Sequence, residues 1–281
     1  MKCFYHNDID GECAGSIVAK KEFNYNKNNF YRVDYIIDLK PMIDSIKNKE
    51  RVYFVDYSFT EKNVWILKEL LEKECDIIWC DHHTSSIKLI EKYPNLNNIK
   101  GIRKEGISGA ALTYMYLFDT EYKKIPDYVK YVSDYDCWIY KYKDQTTYFK
   151  LGMDIRNHDA LDRIWIELID ISKLLKIIDD GKLIKKYIDI DYKSYRNDYG
   201  YESEFEGYKC YVVNRKTNSW IFGDKYNKYP LVVVWAYNGK TYSYSLYSSN
   251  PNVDCSKIAE KYGGGGHKGA AGFSYNELLV L

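Results

Sequence analysis

The sequence predicts an α/β protein with two domains, a larger one built on a parallel sheet and a smaller one rich in β-strands. In the first 150 residues, short apolar runs alternate with helical patterns, as in parallel strands joined by crossover helices. From Gly207 onward, strand patterns follow one another closely. A chain of 281 residues is long enough to give each domain its own core.

The elements of the first domain follow from these patterns. Strands are predicted at 2–5, 31–37, 51–55 and 75–80. Helices are predicted at 11–23, 39–48, 61–73, 107–118 and 127–133. The third helix has Thr60 as an expected N-cap and an apolar face formed by Val64, Leu67, Leu70 and Leu71. These elements make up a predicted domain at 1–150.

The remaining chain divides into a connector and a second domain. A charged helical stretch at 159–191 lies in a connector predicted at 151–206. The smaller mixed β/α domain, at 207–281, has predicted strands at 208–213, 231–237 and 240–246, and the last two are joined by an Asn238-Gly239 hairpin turn. A short helix at 253–262 leads into the glycine-rich sequence GGGGHKGAAGF.

Composition excludes several classes of protein. The charges of the 41 basic and 40 acidic residues nearly cancel, so the chain lacks the long-range positive electrostatic field of a dedicated duplex-DNA binder. The seven cysteines form no Cys-x-x-Cys pair, which excludes a zinc ribbon and fits the reducing cytoplasm. The N-terminus lacks the pattern of a secretory signal, and no segment has eighteen uninterrupted apolar residues. We therefore expect a cytoplasmic protein with no membrane partner.

Acidic and histidine motifs follow three of the predicted strands. The first strand leads into HNDIDG at 6–11, the third into Asp56, and the fourth into Asp-His-His at 81–83. Ligands bind at the carboxyl ends of parallel strands, so these motifs are expected to converge. The sequence Val-Ser-Asp-Tyr-Asp at 132–136 offers a fourth carboxylate, from Asp134 or Asp136.

Such a cluster favours divalent metal ions. Neighbouring carboxylates repel one another unless they bind protons or cations. Carboxylates mixed with imidazoles suit Mn²⁺, with Mg²⁺, Co²⁺ or iron as alternatives. Two ions about 3.5–4 Å apart can share a bridging carboxylate and activate a hydroxide for attack on phosphorus. Each motif by itself is also typical of a solvated turn or a helix cap, and it is their joint occurrence at strand ends that favours the metal centre.

The glycine-rich sequence suggests a phosphate-binding loop. Glycines let backbone N–H groups approach an anion closely, and a histidine and a lysine add directed donors. The residues expected to bind substrate are Gly264, Gly265, Gly266, His267 and Lys268. A structural tight turn is the alternative interpretation.

The order of these motifs over nearly the whole chain resembles the DHH phosphoesterase superfamily with its DHH-associated C-terminal domain. It is more similar to the oligonucleotide and cyclic-dinucleotide phosphodiesterases and the RecJ-like exonucleases than to the pyrophosphatases. The resemblance implies a larger domain that carries the metals and a smaller one that closes over the substrate. One departure is Tyr247, within Ser-Leu-Tyr-Ser, where many members have an arginine. This change bears on substrate preference more than on hydrolysis.

The resemblance also implies roles for individual residues. Asp56 matches a bridging ligand, His83 a residue that contacts the substrate or leaving group, and Asp81 its supporting carboxylate. Asp134 is the better match to the fourth-motif ligand, and Asp136 is the alternative. The positions that match metal ligands are His6, Asp8, Asp10, Asp56, His82 and Asp134.

The expected function is a manganese-dependent phosphodiesterase that releases nucleoside monophosphates from short single-stranded oligonucleotides or dinucleotides. A cyclic-dinucleotide phosphodiesterase and a RecJ-like single-strand exonuclease are the alternatives. Long substrates are usually followed along a basic groove, and the near-neutral charge of this chain disfavours the exonuclease. A non-catalytic nucleotide-binding protein is disfavoured because every expected ligand is present.

Overall fold

A computed structural model of the chain describes residues 1–23 and 25–279. It contains two compact units, Met1–Lys185 and Lys186–Leu281. The division falls within the long helix Ile171–Tyr199 and thus inside the predicted connector. In the described residues, no helix combines the length and the apolar character needed to span a membrane.

The first unit contains a four-stranded parallel sheet in the order β2-β1-β3-β4. The strands are β1 (Lys2–His6), β2 (Phe30–Val33), β3 (Arg51–Val55) and β4 (Asp76–Cys80). Because all four are parallel, their carboxyl ends lie at the same edge of the sheet. The predicted α/β fold class is confirmed.

Helices cover both faces of this sheet. Alternate side chains of β1 point to opposite faces, so Cys3 and Tyr5 enter one apolar core while Phe4 enters the other. The helices of this unit are α1 (Ile9–Lys21), α2 (Lys40–Asp44), α3 (Trp65–Glu72), α4 (Thr84–Lys92), α5 (Gly109–Leu117), α6 (Asp127–Asp136), α7 (Asp144–Asp154) and α8 (Ile164–Glu167), followed by α9 (Ile171–Tyr199).

Several predicted elements of this unit are shorter than expected. The helix predicted at 39–48 covers only Lys40–Asp44, and the helix predicted at 107–118 covers Gly109–Leu117. The strand predicted at 31–37 ends at Val33, because the Asp34 carboxylate accepts hydrogen bonds from the N–H groups of Ile36 and Ile37 at 2.8 and 3.1 Å. The helix predicted at 61–73 begins only at Trp65, so Thr60 is not its N-cap. Helices α4 and α7 were not predicted.

The second unit contains a six-stranded sheet in the order β5-β6-β7-β8-β10-β9. Strands β6 and β7 pair in parallel and the other neighbours are antiparallel. The predicted Asn238-Gly239 turn joins β7 to β8, and the Asn238 Oδ1 atom accepts from the N–H groups of Lys240 and Thr241. The elements are β5 (Gly200–Phe205), β6 (Tyr208–Asn214), β7 (Leu231–Tyr237), β8 (Tyr242–Tyr247), α10 (Cys255–Glu260), β9 (Gly265–His267) and β10 (Ala270–Tyr275).

Candidate metal centre

The candidate site lies at the carboxyl edge of the parallel sheet in the first unit. His6 is the last residue of β1, and Asp56 and Asp81 follow β3 and β4 directly. Asp8 is the N-cap of α1, where its Oδ1 atom accepts from the Gly11 N–H at 2.9 Å. Three of the motifs predicted to converge therefore meet at one edge.

His6, Asp8 and Asp56 form one side of the cluster. The Nδ1 atom of His6 lies 2.6 Å from Asp8 Oδ2 and 3.8 Å from Asp56 Oδ2. Asp56 is buried and has a φ of 55°, an uncommon value for a residue other than glycine. A Cβ atom on Gly109 would lie 2.5 Å from Asp56 Cβ, so only glycine lets the start of α5 approach this aspartate so closely. The backbone is shaped to hold Asp56 at the centre of the cluster.

His82 lies between two carboxylates on the other side. Its Nε2 atom is 3.4 Å from Asp56 Oδ1 and 3.2 Å from Asp136 Oδ2. Both of these oxygens are buried and accept no hydrogen bond from the described residues, although each lies at ion-pair distance from the His82 ring. Buried carboxylate oxygens without partners are costly, and a bound cation would satisfy both. The donor set therefore fits a divalent metal ion.

Asp81 orients His83. The buried Asp81 carboxylate lies 2.7 Å from His83 Nδ1, and its other oxygen accepts a hydrogen bond from the Ser86 hydroxyl. The His83 side chain is 34% exposed, with its ring 4.5 Å from that of His82, centroid to centroid. Because Asp81 occupies the Nδ1 atom of His83, the Nε2 atom remains available to a ligand at the edge of the cluster.

Asp10 and Asp134 use their carboxylates differently. Asp10 accepts from the N–H groups of Gly109 and Ala110, at 2.7 and 3.1 Å, and so anchors the start of α5 behind the site. Asp134 accepts from the N–H groups of Lys141 and Tyr142 at 2.8 and 3.1 Å, and from the Thr146 hydroxyl. The structure thus places Asp136, and not Asp134, in the cluster.

The electrostatics of the cluster show an excess of negative charge. Burial, together with the nearby Asp10, Asp8 and Asp136, raises the pKa of Asp56 well above its usual value. Burial and the charge of Asp10 raise the pKa of Asp136 to about 7. Burial opposes the charged form of His82, but its hydrogen bond with Cys137 and the carboxylates around it raise its pKa to about 10. In the metal-free cluster, protons occupy sites that a cation would take.

Two other polar residues of this unit, Arg103 and His158, have structural contacts. The Arg103 guanidinium donates to the backbone carbonyls of Ile99, Lys100 and Trp79. His158 contacts the buried Glu12 carboxylate, away from the cluster. Cys137 was missed as a member of the site, and its only signal in the sequence is that it follows Asp136.

In the second unit, the glycine-rich sequence forms a β-hairpin and not the predicted loop. β9 pairs with β10, and His267 and Lys268 are exposed at the turn between them. The Lys268 carbonyl accepts from the Cys255 N–H at 2.8 Å, which holds the turn against the start of α10. A Cβ atom on Gly264 would lie 2.2 Å from the Gly272 carbonyl oxygen, so this glycine is required by packing.

Solved structures of similar fold were found although no family model matches the chain. The DHH domain of a protein described as a member of the s1p family of ribosomal proteins has a TM-score of 0.61, at 14% identity, covering 97% of this chain and 82% of that one. The chain has the fold of the DHH phosphoesterase superfamily. The predicted resemblance is thereby confirmed at the level of the fold.

Two further structures share this DHH fold. A pGpG-specific phosphodiesterase, PggH from Vibrio cholerae, has a TM-score of 0.53 at 12% identity, covering 98% of this chain and 92% of that one. An exonuclease RecJ bound to manganese has a TM-score of 0.51 at 13% identity, covering 98% and 86%. These likenesses establish the fold and not the activity.

Two curated proteins are similar in sequence. An uncharacterized protein of Acanthamoeba polyphaga mimivirus, R106, is 28% identical over 252 residues, which cover 84% of this chain and 55% of that protein. The chain thus spans about half the length of this relative. The oligoribonuclease NrnB of Bacillus subtilis (strain 168) is 24% identical over 302 aligned positions, covering 98% of this chain and 72% of that protein.

Proposed function

We propose that this chain is a manganese-dependent phosphodiesterase that hydrolyses short oligonucleotides to nucleoside monophosphates. The observation that carries the proposal is the pair of buried, unpartnered oxygens, Asp56 Oδ1 and Asp136 Oδ2, on either side of His82 Nε2. The single N–H group of His82 Nε2 cannot satisfy both oxygens, whereas a bound cation would. We therefore assign phosphodiester hydrolysis to this metal centre of the DHH fold.

The residues divide into ligands and positioning groups. His6, Asp8, Asp56, His82 and Asp136 would hold two Mn²⁺ ions, with Asp56 at the centre because it faces both histidines. Two such ions supply Lewis acidity toward the phosphoryl group and make water nucleophilic at neutral pH. Mg²⁺ and Co²⁺ are the expected substitutes.

His83 is the proposed contact to the substrate. Because His83 donates from Nδ1 to Asp81, its Nε2 atom remains for the substrate, and in the imidazolium form it can donate to a phosphate oxygen or to the leaving oxygen. Asp81 acts as a positioning residue through this hydrogen bond. Asp10 has the same kind of role, since it fixes the start of α5 against Asp56, and it would gain a direct metal contact only if its hydrogen bonds to Gly109 and Ala110 were shared.

The glycine-rich hairpin of the second unit is the proposed phosphate contact. Gly265 and Gly266 are exposed in β9, and Gly264 directly precedes them. Because glycine has no side chain, a phosphate could approach the backbone N–H groups of this segment closely. His267 and Lys268 would donate to substrate phosphates from the exposed turn. Tyr247 does not offer the charge of the family arginine, because its ring is partly buried against the apolar cluster around Phe222.

Short single-stranded substrates are favoured by two observations. The net charge of +1 provides little attraction for a long polyanion. The sequence relative NrnB is named an oligoribonuclease and the structural relative PggH a pGpG-specific phosphodiesterase.

All seven cysteines are free, which supports the cytoplasm as the compartment.

The test compares four substrates on the purified full chain: a labelled trinucleotide, a linear dinucleotide, a cyclic dinucleotide and a long single strand. Each is incubated with Mn²⁺, Mg²⁺ or Co²⁺, and with EDTA as the metal-free control. The proposal expects mononucleotide products from the trinucleotide and dinucleotide, with Mn²⁺ most effective and no turnover in EDTA.

Other outcomes would change the assignment. Turnover of the cyclic dinucleotide alone would indicate a cyclic-dinucleotide phosphodiesterase, and turnover confined to the long strand would indicate a RecJ-like exonuclease. Nucleotide binding without hydrolysis under any of the three metals would indicate a non-catalytic binding protein. Each of these results would contradict the proposed activity.

A further inference from the structure

Cys137 differs from the other cysteines of the chain. Six of the seven cysteines are buried, whereas Cys137 is partly exposed and directly follows Asp136. Its sulfur atom lies within 4.8 Å of a ring nitrogen of His82. Neither the phosphodiesterase proposal nor the family pattern gives this sulfur a role.

The backbone after α6 fixes the direction of Cys137. Helix α6 ends at Asp136, and the Cys137 N–H closes the last turn on the Ser133 carbonyl at 3.1 Å. Trp138 has a φ of 55°, and the chain reverses its direction there. The Asp134 carboxylate then accepts hydrogen bonds from the N–H groups of Lys141 and Tyr142 in the loop that follows. Asp136 and Cys137 are therefore presented together toward His82.

The resulting donor set contains nitrogen, oxygen and sulfur. One ligand atom each from His82, Asp136 and Cys137 lie within 4.8 Å of one another. An independent observation points to a cation here. The side chain of Asp56 is 2% exposed, and its Oδ1 atom, 3.4 Å from His82 Nε2, accepts no hydrogen bond from the described residues. A thiol used only to orient the histidine ring would not account for that orphaned oxygen.

We propose that the Cys137 sulfur is a metal ligand beside His82 and Asp136. This inference rests on the metal centre of the proposed function and adds a selectivity to it. Thiolate ligands favour borderline ions such as Zn²⁺ and Co²⁺ over Mn²⁺. The position next to Cys137 therefore binds these ions more tightly than the position lined by His6, Asp8 and Asp56, which has no sulfur donor.

The test is a cobalt titration of the full, reduced, metal-free chain under anaerobic conditions, followed by absorption spectroscopy. The expected spectrum has a near-ultraviolet thiolate-to-cobalt charge-transfer band that saturates with bound Co²⁺. In Cys137→Ser this band is lost, and competition assays show Zn²⁺ and Co²⁺ affinity lowered by about tenfold or more, with a smaller change for Mn²⁺. Cys137→Asp, which offers an oxygen ligand, shifts the preference toward Mn²⁺.

A matched control is Cys75→Ser. Cys75 lies in the same unit, and its thiol contacts the Lys47 carbonyl, a hydrogen bond that serine can keep. This variant is expected to retain the charge-transfer band in full. It reports any general effect of replacing a cysteine.

The outcomes separate this inference from the proposed function. Stoichiometric Co²⁺ binding without a charge-transfer band would overturn the proposal that Cys137 is a ligand. In that case, Mn²⁺-dependent hydrolysis by the wild type would still support the proposed phosphodiesterase activity. A band that persists in Cys137→Ser would also overturn it. Failure of the chain to bind Zn²⁺, Co²⁺ and Mn²⁺ would refute both the sulfur ligand and the proposed function.

Discussion

Replacing Asp136 by asparagine should stabilise the metal-free protein. Asparagine resembles the protonated carboxyl group in size, and it removes a charge that is destabilised by burial and by the neighbouring Asp10. The folded-state pKa of Asp136 is about 7, against an ordinary value of 3.8. Its side chain is 24% exposed, so most of this shift is expected to survive solvent screening.

The size and pH dependence follow from this raised pKa. A group with a raised pKa binds more protons in the folded than in the unfolded state, so the wild type loses stability as the pH rises from its unfolded toward its folded pKa. Each pKa unit corresponds to about 1.4 kcal/mol. The asparagine variant should therefore gain less than about 1 kcal/mol near pH 4 and about 4 kcal/mol near pH 8.

The assay is urea unfolding of wild type and Asp136→Asn in EDTA at several values of pH. Asp127→Asn is the matched control, because Asp127 lies on the same helix with its side chain 57% exposed. This control removes an acidic residue from the first turn of α6 and should lower the free energy of unfolding by at most about 1 kcal/mol. A gain for Asp136→Asn that does not grow with pH, or no gain near pH 8, would refute the reasoning.

Three further predictions concern the site and the hairpin. Asp56→Asn should lower kcat/KM with Mn²⁺ by at least about 100-fold, since outer-shell partners of a metal alone change affinity by 10–100-fold, and Mn²⁺ titration calorimetry should show weaker binding. Asp134→Asn should lower the free energy of unfolding by about 1–3 kcal/mol in a urea titration, because the amide cannot accept all three hydrogen bonds; unchanged stability would contradict this. Lys268→Ala should raise KM for a trinucleotide by about tenfold or more without altering Mn²⁺ affinity, and an unchanged KM would remove Lys268 from the substrate contacts.

The strand-end motifs of the site were accessible from sequence because their signals are local. β1, β3 and β4 are short apolar runs that end directly at His6, Asp56 and Asp81. Parallel pairing then brings the carboxyl ends of these strands to one edge of the sheet, independently of the conformation of the loops. The position of these motifs followed from the periodicity of the chain alone.

The fourth carboxylate could not be chosen in the same way. Asp134 and Asp136 are two residues apart on α6 and so point in directions roughly 200° apart around its axis. Which of them faces the cluster depends on the loop that follows, where Trp138 and Tyr140 both have positive φ values of 55° and 51°. Neither residue type signals such a conformation, and for that reason Cys137 was also missed.

The glycine-rich segment shows a limit of propensity. Glycine is depleted in strands, so the sequence predicted a loop. In the structure β10 pairs with β8 along Ala270–Tyr275, and this pairing, together with the close approach of Gly264 to the Gly272 carbonyl, forms a strand hairpin. Tertiary pairing outweighed local preference here.

The most direct test of the central claim is anomalous diffraction from crystals of the protein soaked in Mn²⁺. The account predicts manganese peaks within coordination distance of Asp56, with one ion also contacting His82 and Asp136. Peaks confined to other parts of the chain, or an Asp56 carboxylate with no ion beside it at saturating Mn²⁺, would contradict it.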